Sequence, residues 1–231
     1  MRRPDQAAPT YAILAASGRF ARAVPPAITR AIPGAIVDRA AAGIYMPPMP
    51  ADTLLAAPVE TEPLTILVAP HPSLKARARK VQPGDMPQVR ALAPRMLDAM
   101  YRAPGIGLAA PQVGVPLRLV VVDLQRDDRR EPMVLVNPEV LAVSEEQATR
   151  EEGCLSLPGQ YADVTRPARA QIRWEDETGK RREMDVDGLL AACLQHEIDH
   201  LDGVLFVDHL SALKRNMIMR RLAKERRQKS K

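Results

Sequence analysis

The stretch Gln195-His196-Glu197-Ile198-Asp199-His200 determines how the rest of this 231-residue chain is interpreted. Two histidines that are four residues apart project from one face of an α-helix, about one turn apart. At this spacing two imidazoles can bind one metal ion. Glu197 lies between them, where it can accept a proton from a metal-activated water. The stretch therefore predicts a metal-binding helix with a catalytic glutamate.

The residues around this stretch predict that the helix is buried. Its apolar residues lie on nearly every side of a helix: Leu189, Leu190, Cys193, Leu194, Ile198 and Leu201. A helix of this kind lies inside a core. Asp187 is suited to cap its start and Gly203 to end it. The alternative, two core histidines bonded to the backbone, explains the histidine pair less well, because Glu197 stands in the register of a metal-binding motif.

A catalytic metal site of this kind needs a third protein ligand. One large group of zinc proteases supplies it downstream, in the pattern His-x-x-Gly-x-x-His. This chain follows that pattern as far as Gly203 but has Phe206 at the ligand position, and His209 comes three residues too late. We therefore look upstream to Cys154, whose thiolate would complete a Cys-His-His set with one open position. The alternative for Cys154 is a small buried hydrophobe, which is our interpretation of Cys193.

The apolar patterning of residues 61–213 predicts both helices and strands. A helix should run from Asp85 to about Arg102, with a kink or a break at Pro94. Strands are predicted at residues 117–124, 133–136, 161–165, 168–174 and 181–186. We expect Asn137-Pro138 to end the second of these strands and Asp176-Glu177-Thr178-Gly179 to form a hairpin turn. A final helix should begin near Ser211.

Composition and charge exclude several classes of protein. No apolar run reaches the roughly 18 residues that a membrane-spanning helix needs. Two cysteines do not make a disulfide framework, so we expect a reducing compartment, the cytoplasm. Residues 214–231 contain nine basic residues and one acid, whereas residues 61–213 contain 18 basic and 23 acidic residues. Only the C-terminal tail is therefore a candidate for contact with nucleic acid.

Residues 1–60 differ in composition from the rest of the chain. They contain nine prolines and no lysine, a composition that disfavours regular structure. Our leading interpretation is that translation begins at Met46 or Met49 and that the upstream residues are a start-site error. The alternatives are a mitochondrial or plastid transit peptide and a disordered extension.

Three stretches, in chain order, resemble the motifs of one known family. They are Gly105-Ile106-Gly107-Leu108-Ala109-Ala110-Pro111-Gln112, Glu152-Gly153-Cys154-Leu155-Ser156 and Gln195-His196-Glu197-Ile198-Asp199-His200-Leu201. Together they resemble the motifs of peptide deformylase, and the resemblance covers residues 62–220. One motif alone would be far less specific than three in this order.

The resemblance implies an α+β fold in which antiparallel and mixed strands pack around a central buried metal-binding helix, followed by a C-terminal helix. It implies a catalytic domain at residues 61–213 and a basic helix or tail at residues 214–231. The activity would be removal of the formyl group from the N-terminal formylmethionine of newly synthesised polypeptides. The metal would be Fe²⁺, with Zn²⁺, Ni²⁺ or Co²⁺ as substitutes.

The resemblance also implies a role for each residue of the site. The metal ligands would be Cys154, His196 and His200. Glu197 would be the general base and acid, while the Gln112 side chain and the Leu155 backbone N–H would stabilise the oxyanion. The residues that contact substrate would be Gly107, Ile106, Gly153 and Leu189. Arg166 would hold Glu152 in place.

The implied partners are N-formylmethionyl nascent peptides and, through the basic C-terminal helix, the ribosome near its exit tunnel. The alternative for this helix is a solvated basic face. We expect a monomer without membrane contact. Two other functions remain open: a non-catalytic paralogue that binds ribosomes or formylated peptides, and a zinc endopeptidase built on the same helix.

Overall fold

The computed structural model describes residues 62–125 and 129–229. The helices of these residues are α1 (Met86–Arg102), α2 (Gly188–Leu201) and α3 (Ala212–Lys229). The strands are β1 (Gly107–Ala109), β2 (Leu119–Val122), β3 (Met133–Val143), β4 (Gln147–Cys154), β5 (Leu157–Pro167), β6 (Arg169–Glu175) and β7 (Arg181–Asp187). The extension at residues 1–60 and its expected starts at Met46 or Met49 lie outside the described residues.

The described strands form two antiparallel sheets. The larger has the order β1-β2-β3-β6-β7, and β4 pairs with β5 in a separate hairpin. Gly179 lies in the β6–β7 turn with a positive φ of 80°, so the predicted hairpin is confirmed. The hairpin matters for the site because Cys154 is the last residue of β4.

Helix α2 lies in the core, as its apolar sequence predicts. Leu194, Ile198 and Leu201 are buried together with Val120 and Ile172 of the large sheet. Asp187 occupies the N-cap with an extended backbone, although its side chain makes no capping hydrogen bond. Beyond the other end, Gly203 has a φ of 75°, and a Cβ there would lie 2.6 Å from the carbonyl oxygen of Lys75. Glycine is therefore required where this helix ends.

Helix α1 packs against the other side of β1 and β2. Its buried residues include Val89, Met96 and Met100, which share a cluster with Leu108 and Val121. The helix is not broken at Pro94, which lies within its 17 residues. Packing of the flanking apolar residues offsets the loss of one backbone hydrogen bond at the proline.

Strand β3 corrects one sequence prediction. We expected it to end at Asn137-Pro138, yet it continues to Val143. The pairing with β6 shifts register between Val136 and Glu139, and Asn137 adopts a left-handed φ of 51°. This bulge accommodates the proline, which therefore does not end the strand. The Asn137 side chain also bonds both backbone groups of Val81, at 2.8 and 3.0 Å.

The pattern of apolar residues did not predict strand β4, although the family resemblance implies a strand at Gly153–Leu155, which overlaps its end. Its burial is irregular, with most residues exposed, so it lacks the alternation of a half-buried strand. Among residues 62–125 and 129–229, no helix is long and apolar enough to cross a membrane.

Candidate metal centre

Three donor side chains converge where the end of β4 meets the middle of α2. The Cys154 Sγ and ring nitrogens of His196 and His200 all lie within 4.8 Å of one another. The Cys154 Sγ is 3.2 Å from the His200 Nε2. The two imidazoles meet edge to face, with ring centroids 5.0 Å apart and planes at 74°. The helical spacing and the β4 hairpin thus bring together the three residues predicted as ligands.

These donors fit a divalent transition metal. One thiolate and two imidazoles are a ligand set typical of catalytic sites that keep a fourth position for water. Burial holds the pKa of His200 well below its ordinary value, whereas hydrogen bonds with Cys154 and Glu152 raise the pKa of His196 despite its burial; either ring would bind a metal in its neutral form. The Nδ1 of His200 is buried without a hydrogen-bond partner in the described residues.

A buried ion-pair network orients His196. Its Nδ1 lies 2.9 Å from Glu152 Oε2, which leaves Nε2 to face the other ligands. Arg166 contacts both oxygens of Glu152, at 2.6 Å through Nε and 3.1 Å through Nη2. Burial alone would raise the pKa of Glu152, but hydrogen bonds from His196 and Arg166 lower it to about 2. The predicted pairing of Arg166 with Glu152 is therefore present.

Arg166 makes a further contact to α2. Its Nη1 donates to Asp199 Oδ2 at 2.7 Å, so one guanidinium joins β4 to the ligand helix through two carboxylates. Neighbouring carboxylates and the hydrogen bond to Glu152 keep the pKa of Arg166 above its ordinary value despite burial. Asp199 belongs to the opening sequence stretch, but its partner could not be identified from spacing.

Glu197 lies one residue after His196 in an apolar setting. Its Oε2 is buried without a hydrogen-bond partner in the described residues. Burial, aided by the charge of Glu152 and opposed by His196, raises the pKa of Glu197 to about 7. A carboxyl group with such a pKa can both take up and release a proton near neutrality.

Gly107 on β1 lies directly against the Glu197 side chain. A Cβ at this position would lie 2.5 Å from Glu197 Oε1 and 2.9 Å from Cys193 Sγ. Cys193 is buried, as predicted, and burial raises the pKa of its thiol well above the ordinary value. The absence of a side chain at Gly107 is thus what lets β1 lie against α2.

Gln112 directs its amide toward the sulfur of Cys154. Its Oε1 accepts a hydrogen bond from the backbone N–H of Ala109 at 2.8 Å, which fixes the orientation of the amide. Its Nε2 then lies 3.6 Å from Cys154 Sγ and 3.2 Å from the hydroxyl of Ser156. Ser156 is fully buried and was not assigned a role from sequence, although it lies in the Glu152–Ser156 motif.

With this geometry in place, comparison with known proteins identifies the family. Residues 63–216 match the family model described as polypeptide deformylase. The chain belongs to the polypeptide deformylase family. A relative named peptide deformylase from Rhizorhabdus wittichii is 53% identical over 168 residues, covering 70% of this chain and 94% of that protein. One from Agrobacterium fabrum is 49% identical over 165 residues, covering 71% of this chain and 96% of that protein.

Solved structures of deformylases share the fold. A crystal structure of a peptide deformylase from Legionella pneumophila matches with a TM-score of 0.67 and 46% identity, covering 72% of this chain and 97% of that one. One from Synechococcus elongatus, in complex with actinonin, has a TM-score of 0.65 and 42% identity, covering 69% and 87%. The predicted family, enzyme class and α+β fold with a central helix and a C-terminal helix are confirmed.

The other residues expected from the deformylase resemblance lie at the end of β4, just before β1 and at the start of α2. Leu155 follows Cys154 directly, and a Cβ at Gly105 would meet its side chain at 2.7 Å. Gly153 pairs with Tyr161 across the hairpin, and the Tyr161 ring covers it. Ile106 is half-buried against the core cluster that contains Cys193, whereas Leu189 is 45% exposed in the first turn of α2.

Proposed function

We propose that this chain is a metal-dependent hydrolase that removes the formyl group from the N-terminal formylmethionine of newly synthesised polypeptides. The observation that carries the proposal is the convergence of Cys154, His196 and His200 within 4.8 Å, beside a glutamate whose pKa is raised to about 7. Relatives that carry the name peptide deformylase support it.

Cys154, His196 and His200 would hold the metal, which we propose is Fe²⁺, with Zn²⁺, Ni²⁺ or Co²⁺ as substitutes. When bound, it would lower the pKa of a water toward neutrality and so supply a nucleophile. As a ligand, the Cys154 thiolate would donate charge to the metal, which would make an Fe²⁺ site sensitive to oxygen.

Glu197 would act as the general base and then as the general acid. Its buried Oε2 has no other hydrogen-bond partner in the described residues and is therefore available to accept a proton. The same carboxyl group would pass this proton to the amine that leaves when the formyl C–N bond breaks. Because its pKa is about 7, neither transfer is strongly unfavourable near neutrality.

The oxyanion that develops on the formyl carbonyl would be stabilised by two donors, the Gln112 amide and the backbone N–H of Leu155. The bond from Ala109 to Gln112 Oε1 supports this role because it leaves the NH₂ group directed toward Cys154. A donor of this kind contributes about 3 kcal/mol to transition-state stabilisation.

The peptide would lie between β1 and the end of β4. Gly107 and Gly153 lack side chains, so the substrate backbone could approach both strands closely. Ile106 and Leu189 would contact the methionine side chain. The exposure of Leu189, 45%, supports this role, because a core residue would not be available to a ligand.

Release of formate tests the proposal. Protein purified without oxygen and loaded with Fe²⁺ should release formate from formyl-Met-Ala-Ser, and Glu197→Ala should abolish turnover while metal content stays equal. Absence of formate from the loaded protein would refute a deformylase and favour a non-catalytic formyl-peptide-binding paralogue. Internal cleavage of an unformylated peptide would instead indicate an endopeptidase.

We further propose that α3 docks on the ribosome near the exit tunnel. Three contacts hold the helix against the body. Leu222 of α3 is buried, and the Gln160 amide donates to Glu225 of α3 at 3.2 Å. Arg226 donates to the carbonyl of Ala69 at 3.1 Å. The other basic residues of α3 whose side chains are described are exposed: Lys214, Arg215, Arg220, Arg221, Lys224 and Arg227. A rigidly held basic face suits RNA phosphates. A cytoplasmic monomer with a catalytic unit at residues 61–213 remains our expectation.

A further inference from the structure

Two residues that have no role in the proposed chemistry, Phe206 and His209, lie at the two ends of one 3-10 turn just before α3. Phe206 stands where zinc proteases place their downstream ligand, and His209 lies three residues beyond it. Neither side chain belongs to the Cys154, His196 and His200 cluster. Both nevertheless connect to the same ligand, His196, by separate routes.

The first route is direct contact between rings. The Phe206 side chain is almost fully buried, and its ring stacks on the His196 imidazole with centroids 6.3 Å apart and planes at 21°. This separation lies within the range of offset aromatic stacking. The phenyl ring therefore limits how far the imidazole can tilt toward that side.

The second route is a chain of charged hydrogen bonds that starts at His209. Its Nε2 lies 2.7 Å from Asp199 Oδ2, and because an ionised carboxylate only accepts, this nitrogen is the donor. The same oxygen accepts from Arg166 Nη1 at 2.7 Å. Arg166 then contacts Glu152, whose Oε2 is 2.9 Å from His196 Nδ1.

The geometry of Asp199 explains why His209 would matter. Two donors on one oxygen hold the carboxylate in a single orientation, and this orientation sets the position of the planar guanidinium. The His209 side chain is 34% exposed. Without its donor, water would reach Asp199 Oδ2, and the carboxylate could rotate away from Arg166.

The turn itself is anchored to the body. Asp208 Oδ2 accepts from the backbone N–H of Leu205 at 2.8 Å and also forms an ion pair with Lys75. The turn can therefore act as a fixed support for the groups that contact it.

We propose that the Phe206–His209 turn positions His196 for metal binding, Phe206 by stacking on its ring and His209 through Asp199, Arg166 and Glu152. The proposal rests on the metal binding proposed above. His209 is here a positioning residue that touches neither substrate nor metal.

Co²⁺-loaded protein provides the test. The variant His209→Phe keeps a ring but loses the donor, and His209→Gln keeps a donor nitrogen. The exposed His71, which accepts a hydrogen bond from the backbone N–H of Ser73 at 3.3 Å, gives the matched control His71→Phe. The readouts are the visible absorption spectrum of the bound cobalt and the rate of its release to a chelator.

We expect His209→Phe to shift the cobalt spectrum and to release the metal about 10-fold faster, at the lower end of the effect of outer-shell partners. His209→Gln and His71→Phe should behave as wild type. In the Asp199→Ala background, His209→Phe should not change the release rate further, because the chain of hydrogen bonds from His209 to His196 is already interrupted at Asp199. Phe206→Leu should accelerate release independently of His209→Phe.

Other outcomes separate the two proposals. If wild-type protein does not bind Co²⁺ stoichiometrically, the proposed metal site itself is refuted. Stoichiometric binding with equal release rates for wild type and His209→Phe would overturn only the positioning role. Equal acceleration in His209→Phe and His209→Gln would exclude the hydrogen bond as its cause, and additivity with Asp199→Ala would exclude the chain of hydrogen bonds.

Discussion

A methyl group at residue 107 should disable the site without removing its metal. In Gly107→Ala the new Cβ would lie 2.5 Å from Glu197 Oε1 and 2.9 Å from Cys193 Sγ. Ordinary contact begins near 3.4 Å, so the carboxylate must retreat by about 0.9 Å or β1 must move by a similar distance. Misplacement of a catalytic group by 1 Å costs about 100-fold in rate, which corresponds to about 2.7 kcal/mol of transition-state stabilisation.

Kinetics of formate release with formyl-Met-Ala-Ser, together with metal content, provide the assay. We expect kcat/KM to fall about 100-fold at unchanged metal stoichiometry, and the free energy of unfolding to fall by about 1 to 3 kcal/mol from overpacking. Gly84→Ala is the matched control, because a Cβ there meets nothing within 4 Å. A kcat/KM for Gly107→Ala within twofold of wild type would refute this reasoning. Full rescue by Cys193→Ala would show that the sulfur, and not the carboxylate, is the group displaced.

Three further predictions concern contacts away from the reacting atoms. Arg166→Lys keeps the charge but loses the fork that holds Glu152, so metal release to a chelator should become 10- to 100-fold faster, as outer-shell changes do; a wild-type rate would contradict this. Leu222→Ala should cost about 2 to 5 kcal/mol in urea unfolding, because Leu222 is 1% exposed on the side of α3 that packs against the body; a cost below 1 kcal/mol would mean that α3 is only loosely attached. Burial and a 2.6 Å hydrogen bond to Asp123 raise the pKa of Tyr101 to about 12, above the usual 10, so their stabilisation is complete below pH 10 and disappears as pH rises through 12. Tyr101→Phe should therefore lose about 1.5 kcal/mol at pH 8 and less at pH 11, and a deficit independent of pH would argue against this assignment.

The features of this site that are local in sequence were predictable. The spacing of His196 and His200 on a helix follows from 3.6 residues per turn, and the apolar residues on the other sides of this helix place it in a core. The third donor, Cys154, required an argument by exclusion, because it comes from another element of the fold. The structure brings it 3.2 Å from His200.

Features that depend on tertiary contact were not predictable. The extension of β3 beyond Asn137-Pro138 requires a bulge, and the bulge is supported by Val81, 56 residues away in sequence. The stacking of Phe206 on His196 has no periodic sequence pattern, since the two residues lie on different elements. The local sequence pattern indicates which secondary structure a segment forms. These contacts depend instead on side chains of a second segment that packs against it.

The separation of Cys154 from His200 along the chain affects how the protein would unfold. The two donors are 46 residues apart, Cys154 at the end of β4 and His200 in α2. An ion bound to both would therefore cross-link the two ends of a long loop. By the loop-entropy relation used for disulfides, closing a loop of this length restricts the unfolded chain by about 4 kcal/mol. Removal of the metal by a chelator would therefore remove a cross-link as well as the group that activates water. The β4–β5 hairpin supplies only one of the three ligands, and its amide protons should be the first to exchange after chelation.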